Sequence, residues 1–478
     1  MIAVDPSLWI FILLVAPASA AILALIPLEG VSERVARVGA LISVASAAWL
    51  LASQASGAWG AYLGVDPLSE VFLLMVTGVF ATSTWYSKRY LRAVHRPFLT
   101  AQVYYALLSA FAFAMTFTLV VSDLGLMWIG VEATTVASAL LIVLERKASS
   151  VEAAWRYTLI ASAGLTIALF ALLLLYTATG TLNTFALAAH PPPTTLAVEM
   201  AVALALVGYG TKVGLFPMHT WLPDAHSEAP SPVSAMFSGV LLPTALYAFL
   251  RVYRVLPEPA PASVEDLLLA FGIVTALVAA FLMQRQRSFK RLLAYSSMEV
   301  MGLAVVGVAV GGIALYGVLL LLFAHAFAKS AAFYCAGNVL QTTGTTRIAE
   351  VRDLQRSMPW TGTGWVLSAA AVTGAPPFGT FLGELLIVVG ALAAGLTWVA
   401  VVVVVAIMVA FLGVNSQIGR MVFGETPPGA TPVERQAEPG VGIVYLNLGV
   451  ALAIGIASVP YLAPALAKAS YVLGGGPP

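Results

Sequence analysis

The sequence predicts an all-α polytopic membrane protein with about 14 transmembrane helices, and three observations carry that prediction. Apolar runs of about 20 residues, the length that spans a bilayer core, recur along the whole chain. Of the 478 residues, 60% are hydrophobic and only 9% are charged, with a mean hydropathy of +0.94. So little charge cannot cover a water-facing surface. The basic residues are also segregated between alternate connections. The net charge of +1 gives no reason to expect nucleic acid. The single cysteine, Cys335, excludes a disulfide within the chain, a thiolate cluster or a haem-attachment motif.

The spans read, in order, near 7–27, 36–54, 65–87, 98–121, 123–144, 155–177, 196–218, 231–252, 264–283, 292–311, 313–340, 361–393, 397–420 and 441–466. The first has no small-residue cleavage site after it and reads as a membrane helix rather than a signal peptide. The seventh is interrupted by Pro217 within about two turns of Lys212. The twelfth is too long for one straight crossing and holds Pro376 and Pro377, so it reads as a broken helix or one with a re-entrant piece. No linker divides the chain into soluble domains.

The connections give orientation. Odd-numbered ones hold Arg34, Arg37, Lys88, Arg89, Arg92, Arg96, Arg146, Lys147, Arg156, Arg285, Arg287, Lys290, Arg291, Arg347, Arg352, Arg356, Arg420 and Arg435, which is 18 of the 23 basic residues. Even-numbered ones hold only Arg251 and Arg254, with Lys468 in the tail. The excess of Lys and Arg on the cytoplasmic side then puts the odd connections in the cytoplasm and both termini outside. A miscount of one span would scramble the segregation.

Charges inside the spans are costly, about 2.5–3.5 kcal/mol each on insertion scales, and so mark candidate sites. Glu132 sits two turns into the fifth span. Lys212 precedes the break at Pro217. His325 and Lys329 share one helix face at i, i+4. Glu384 follows the break at Pro376–Pro377. Around them stand Asp123, His219, Asp224, His226 and Glu299 as accessory candidates. A buried charge can equally be a satisfied structural pair; Asp123 and Glu299 lean that way, Asp123 facing the headgroups and Glu299 pairing with a base. His325 reads about as well as a neutral core histidine. Charge before one break and after the other is the polarity that inverted halves would give, and interrupted helices in corresponding halves point to a transport site.

These residue types suit proton relay. Burial lowers a lysine's pKa and raises a glutamate's, and a nearby opposite charge reverses both. A series of Glu, Lys and His can thus pass a proton by making and breaking ion pairs, with water bridging gaps beyond about 3.5 Å. Outward transport needs an external driving event, because the membrane potential opposes it by about 2.3 kcal/mol per charge per 100 mV.

At these residues the sequence resembles the antiporter-like membrane subunits shared by respiratory complex I, Mrp-type cation/proton antiporters and membrane-bound [NiFe] hydrogenases. The stretches that carry the resemblance are HTWLPDAHSEAPSPVSA (219–235), KRLLAYSS (290–297), HAFAKSAAFYCAGN (325–338) and GAPPFGTFLGE (374–384). VEATTVASALL (131–141), AAWRY (153–157) and the H-x-x-x-K segment look most like the F component of hydrogenase-4. The resemblance implies N-terminal helices over 1–97, two inverted five-helix bundles over 98–252 and 253–420, and a C-terminal loop and helix over 421–478. It implies an ion pair between Glu132 and Lys212, Lys329 as central relay with His325 beside it, and Glu384 as terminal group. Glu384 is similar to the M-type complex I subunit, whereas the L-type has lysine there. In the eighth span this chain offers Phe237 and Pro243 where some relatives carry a lysine or histidine. Val300 follows Glu299 where the hydrogenase subfamily leads us to expect histidine.

The function expected is that of a proton-translocating subunit of a redox-driven complex of the group 4 [NiFe] hydrogenase or formate hydrogenlyase type. It would be a non-catalytic subunit of an oxidoreductase, in the cell membrane of a prokaryote. The chain itself is expected to hold no cofactor or metal. A [NiFe] centre and iron–sulphur clusters would lie in partners, which are other membrane subunits and a cytoplasmic hydrogenase-like or complex I-like redox module. The alternatives are an Mrp-type Na+/H+ antiporter subunit, a complex I pumping subunit, and a structural anchor with a vestigial channel.

Overall fold

The structure is a computed structural model that describes residues 6–28, 30–94, 97–145, 147–257, 259–425, 438, 440–456 and 462–475. Arg96, Arg146 and Arg435, which entered the charge count, lie outside the described residues. The chain begins with α1 (Pro6–Leu23) and α2 (Val31–Ser53), then a small antiparallel hairpin, β1 (Gly57–Trp59) and β2 (Leu63–Val65). Next come α3 (Pro67–Ala93), α4 (Ala101–Val120), α5 (Leu124–Ile142), α6 (Ala148–Thr179) and the short α7 (Thr184–Ala189). The seventh expected span is α8 (Leu196–Val213), which stops short of Pro217 and resumes as α9 (Trp221–Glu228). The eighth is α10 (Ser231–Met236), a π-turn over Phe237–Leu241, and α11 (Leu242–Tyr253). There follow α12 (Ala262–Met283), α13 (Phe289–Val310), α14 (Ile313–Thr343), the short α15 (Leu354–Ser357), α16 (Pro359–Val372), α17 (Gly379–Ala393), α18 (Thr397–Phe423), α19 (Val441–Ile456) and α20 (Leu462–Val472). Among the described residues, 11 helical segments are long and apolar enough to cross a membrane, and three shorter apolar helices accompany them.

The connections meet in two groups. Phe98 N–H donates to Leu144 O, Phe289 N–H to Thr346 O, and Asp353 N–H to Gly424 O, which joins odd-numbered connections at one end. Ser122 N–H donates to Tyr62 O, Leu124 N–H to Leu182 O, and Arg251 clasps Asp66, which joins even-numbered ones at the other. Arg156, expected in a loop, lies inside α6. Its guanidinium holds Asp224 at 2.5 Å, and Arg291 holds the same carboxylate at 3.0 Å. The last expected span covers α19 and the start of α20, with residues 457–461 outside the described residues. After α19, α20 packs Ala465, Leu466 and Ala469 inward, and Lys468 donates to Gln54 at 2.5 Å, which ties it to the end of α2.

Burial sorts the helices. α18 exposes Val401, Val404, Val405, Met408, Phe411 and Leu412, a stripe with helical spacing that suits lipid contact. Segments α10–α11, α13 and α14 are almost wholly enclosed. Of the intramembrane charges, Glu299 lies on α13 and His325 and Lys329 on α14, while Glu132, Lys212 and Glu384 lie on α5, α8 and α17.

Both interrupted helices end alike. α8 closes on Gly214 (φ +86) and α16 is followed by Gly374 (φ +64), backbone that an L side chain resists. Lipid cannot satisfy the backbone groups freed at a break, so protein must. Trp221 Nε1–H donates to Thr211 O at 2.8 Å, and Phe216 N–H donates to Thr275 Oγ1 at 3.0 Å. At the second break, Thr380 Oγ1–H donates to Ala371 O at 2.5 Å, and Thr373 Oγ1–H donates to Ala369 O at 2.8 Å.

Candidate functional site

Two polar clusters lie inside the bundle. The first surrounds Lys212, the last residue but one of α8. Its side chain is fully buried. Nζ donates to Thr135 Oγ1 at 2.7 Å and to Tyr157 OH at 2.5 Å, and sits 4.5 Å from the centre of the Tyr157 ring. Tyr157 OH also meets Ser138 Oγ at 2.8 Å. Hydrogen bonds from a charged donor are worth about 1.5–3 kcal/mol each and a cation over an aromatic face about 0.5–2. Together they offset much of the several kcal/mol that burying an ammonium costs.

The implied ion pair between Glu132 and Lys212 is not a contact in the structure. The half-buried Glu132 accepts from Ser162 Oγ at 2.6 Å, and its second oxygen, Oε2, is buried with no hydrogen-bond partner among the described residues. Thr135, one turn on from Glu132 on α5, takes the ammonium instead. Glu132 and Lys212 remain within electrostatic reach of each other.

The second cluster centres on Lys329 of α14. Nζ donates to Leu293 O at 2.7 Å and to the Ser296 hydroxyl, both on α13. Ser297, beside it, meets Ser238 of the π-turn at 2.5 Å. Glu299, one turn further along α13, is 3% exposed and in electrostatic reach of Lys329 and of Glu384. It does not touch Lys329, so its expected pairing with a base is not a direct contact. Glu384 is 4% exposed, and its carboxylate fills the space that a side chain at Gly374 would need. The carboxylate thus lies against the break between α16 and α17. His325 is fully buried, with both ring nitrogens unpartnered among the described residues.

Between the clusters stands Phe237. Its ring is edge-on to Phe111 at 5.7 Å, tilted on Tyr157 at 5.8 Å, and edge-on to His226 at 5.6 Å. Phe237 opens the π-turn, a backbone irregularity frequent at functional sites. His226 flanks it, fully buried, with Nδ1 2.8 Å from Leu222 O and Nε2 unpartnered among the described residues.

The remaining candidates fall elsewhere. Asp123 caps α5, accepting from Gly125 N–H at 2.9 Å and Leu126 N–H at 3.0 Å. His219 stacks on Phe216 at 5.6 Å beside the first break. Asp224 is the shared partner of Arg156 and Arg291 at the basic end. Pro217, Pro376 and Pro377 lie in the two interruptions. Pro243 lies in the first turn of α11.

Sequence reasoning missed three polar groups. Tyr157 holds Lys212, yet a tyrosine in a span carries no charge to flag it. Glu70 is 1% exposed near the start of α3 and accepts from Ser56 at 3.2 Å. Lys290, counted as a loop base, is 1% exposed at the start of α13 and donates to Ala229 O at 2.5 Å. At the opposite end, Arg251 grips Asp66 with two bonds of 2.5 Å. Burial pushes the Asp66 carboxyl up, but the Arg251 guanidinium and the Ser69 donors outweigh it and hold the group below its ordinary value.

Residues 121–410 match the family model described as NADH:quinone oxidoreductase/Mrp antiporter, TM. The chain is 34% identical over 392 residues to the hydrogenase-4 component F homolog of Methylacidiphilum infernorum, covering 78% of this chain and 82% of the relative. Its fold is similar to a chain of the membrane-bound sulfane sulfur reductase, an archaeal respiratory complex, with TM-score 0.86, 23% identity and coverage of 98% and 97% of the two chains. It is likewise similar to a chain of the Mrp complex from Dietzia sp., with TM-score 0.85, 21% identity and coverage of 98% and 97%.

Proposed function

Given that the chain belongs to the NADH:quinone oxidoreductase/Mrp antiporter transmembrane family, we propose that it moves protons as one membrane subunit of a redox-driven complex of the hydrogenase-4 or formate hydrogenlyase kind. It is an antiporter-like, multi-pass membrane subunit. Relatives of this kind are components of multi-subunit membrane complexes. The observation that carries the reading is the enclosed series Lys212, His226, Lys329, Glu299 and Glu384. All five side chains are buried, and Lys212 and Glu384 adjoin the two helix breaks.

Each group has a role in this reading. Lys329 is the central relay. Its ammonium rests on a carbonyl and a hydroxyl rather than on a carboxylate, so losing a proton strands no paired anion. Glu384 is the terminal group, lying where an interrupted helix lets water approach. Lys212, biased by Glu132 across Thr135 and Ser162, forms the half-site of the first bundle. Asp224, His219 and Asp123 order the loops and helix ends around them. Fourteen crossings, with inverted bundles over 98–252 and 253–420, agree with the two similar breaks and with the two groups of connections. The segregation of basic residues supports a cytoplasmic location for the odd-numbered connections in a prokaryotic cell membrane. A [NiFe] centre and iron–sulphur clusters belong, in this reading, to partner subunits.

Phe237 favours a second reading in which only the second half-site conducts, because its apolar ring packs on Tyr157, the partner of Lys212, where a titratable group would link the two half-sites.

The test is isolation of the chain with its companions from native membranes in mild detergent, followed by subunit identification and metal analysis. Nickel, iron and hydrogenase-like subunits are expected. Small membrane subunits alone, with no metal and with sodium-dependent proton flux, would move the chain to the Mrp class. Iron with a quinone-reducing module and no nickel would make it a complex I relative.

A further inference from the structure

Helix α3 is enclosed on nearly every side. Between Leu68 and Ser87 only Leu74, Gly78, Ala81, Thr82 and Trp85 are not buried. Their spacing sets them in one line along the helix. The Thr82 hydroxyl is engaged inside the bundle, 3.1 Å from Tyr334 OH. The line is therefore apolar and mostly small from Leu74 to Ala81, aromatic at Trp85, and then basic at Lys88, Arg89 and Arg92. At 1.5 Å per residue the stretch from Leu74 to Trp85 is about 16 Å long. One leaflet of hydrocarbon is about 15 Å deep, half of a 30 Å core. Tryptophan favours the interface just above it.

At the basic end a cavity of about 610 Å³ opens between α2, α3 and the start of α19. Arg37, Lys88, Arg89 and Arg92 line it. The Arg37 guanidinium lies over the Trp85 ring at 5.2 Å, and its Nε is buried with no hydrogen-bond partner among the described residues. One oxygen of Glu33 meets both Arg37 at 2.7 Å and Lys88 at 2.8 Å. Among the described residues, Arg89 and Arg92 have neither an ion pair nor a side-chain hydrogen bond. Glu438 also lines the cavity, but it accepts from Trp360 N–H at 3.2 Å and from Thr361 N–H, which holds it to the first turn of α16. Four bases thus face two acids, Glu33 and Glu438, an excess of two positive charges.

The backbone adds to this field. Gly440, Val441 and Gly442 bring the N-terminal end of α19 to the same wall. N–H groups at a helix start lack partners within the helix, and its dipole favours an anion. A Cβ at Gly442 would meet nothing within 4 Å, so the helix end is open there. Bases that only set membrane orientation require no cavity, no arginine laid over a tryptophan and no apolar line leading away from them.

We propose that this cavity binds the phosphate of an anionic phospholipid, with an acyl chain lying along the exposed line of α3. Arg89 and Arg92 offer forked donors to the phosphate oxygens. Trp85 stands at the depth of the ester groups. Leu41 of α2 and Leu446 of α19, both exposed, give the chain apolar flanks. A free phosphate would use the bases but not the line below them. Such a lipid ties the N-terminal helices to α19, which are far apart in the chain.

The test uses the complex purified with its companions and reconstituted in phosphatidylcholine nanodiscs that contain a trace of phosphatidylglycerol with a photoreactive acyl chain. Labelled peptides are identified by mass spectrometry. Label is expected on α3 between Leu74 and Arg92. Phosphatidylcholine with the same photoreactive chain should label that segment at least fivefold less. Each base near an anionic lipid is worth about fivefold in binding, so Arg89→Gln with Arg92→Gln should lower the phosphatidylglycerol label at least tenfold. Arg89→Lys with Arg92→Lys keeps the charge and should retain the label within about threefold. Excess inorganic phosphate should leave it unchanged. Equal labelling by the two lipids would make the line an unselective lipid contact and overturn the proposal. A label that survives the double glutamine variant, or no label on α3, overturns it as well. Displacement by inorganic phosphate would assign the cavity to a soluble anion instead.

Discussion

Lys212 and Tyr157 form a two-part contact: the ammonium donates to the phenol oxygen at 2.5 Å and lies 4.5 Å from the centre of the same ring. Tyr157→Phe keeps the ring and removes the acceptor. A buried charge then loses one of its two hydrogen bonds, a cost of about 1.5–3 kcal/mol. We expect proton movement to fall roughly tenfold with the complex still assembled. Flux measurements beside immunodetection of the assembled complex check this. An unchanged rate would favour the reading in which only the second half-site conducts.

The place of Glu384 depends on a residue with no side chain. A Cβ at Gly374 would both face a left-handed backbone and overlap the carboxylate. Gly374→Ala should cost at least about 1–2 kcal/mol from the backbone alone. It should also depress proton movement as strongly as Glu384→Gln, which removes the charge without strain. Thermal unfolding in detergent separates the two, because only the glycine variant should lower Tm.

The Asp66–Arg251 clasp ties the start of α3 to the end of α11. Asp66→Asn retains a capping side chain but strands a largely buried guanidinium, with an expected loss of about 3–5 kcal/mol. The pH dependence has a definite sign. The folded carboxyl titrates below its ordinary value, so its contribution is complete above about pH 3.9, the unfolded value, and is lost as pH falls through the folded one. The difference in stability between wild type and Asp66→Asn should be flat from pH 8 to pH 5 and shrink below about pH 4. Unfolding curves across that range check it.

Much of this was legible in the sequence, because lipid makes charge informative. The breaks at Pro217 and Pro376–Pro377, and the buried positions of Lys212, His325, Lys329 and Glu384, follow from charge and proline standing in apolar runs. What was not legible depends on neighbours brought together by packing. Glu132 was expected to touch Lys212, but the two meet different hydroxyls, Ser162 of α6 and Thr135 of α5. Asp123 reads as a charge near a span's end and proves to be a helix cap. Lys290 counts as a loop base by position, yet α13 begins one residue earlier and buries it. Tyr157 and Ser296 hold the two lysines, but neutral hydroxyls leave no trace in hydropathy.

Phe237 packs against both Tyr157 and His226. Phe237→His places a titratable ring there. We expect proton movement to rise, and a greater share of it to be lost on adding Lys212→Ala. The double-variant comparison reads this coupling directly.

The central claim is that Lys329 carries the protons that this subunit moves. The most direct measurement is redox-linked proton uptake by membrane vesicles that hold the whole complex, comparing wild type with Lys329→Ala at equal electron-transfer rate. The account predicts that electrons still flow in the variant while the protons moved per electron fall. Unchanged proton uptake per electron, with the complex intact, would contradict it.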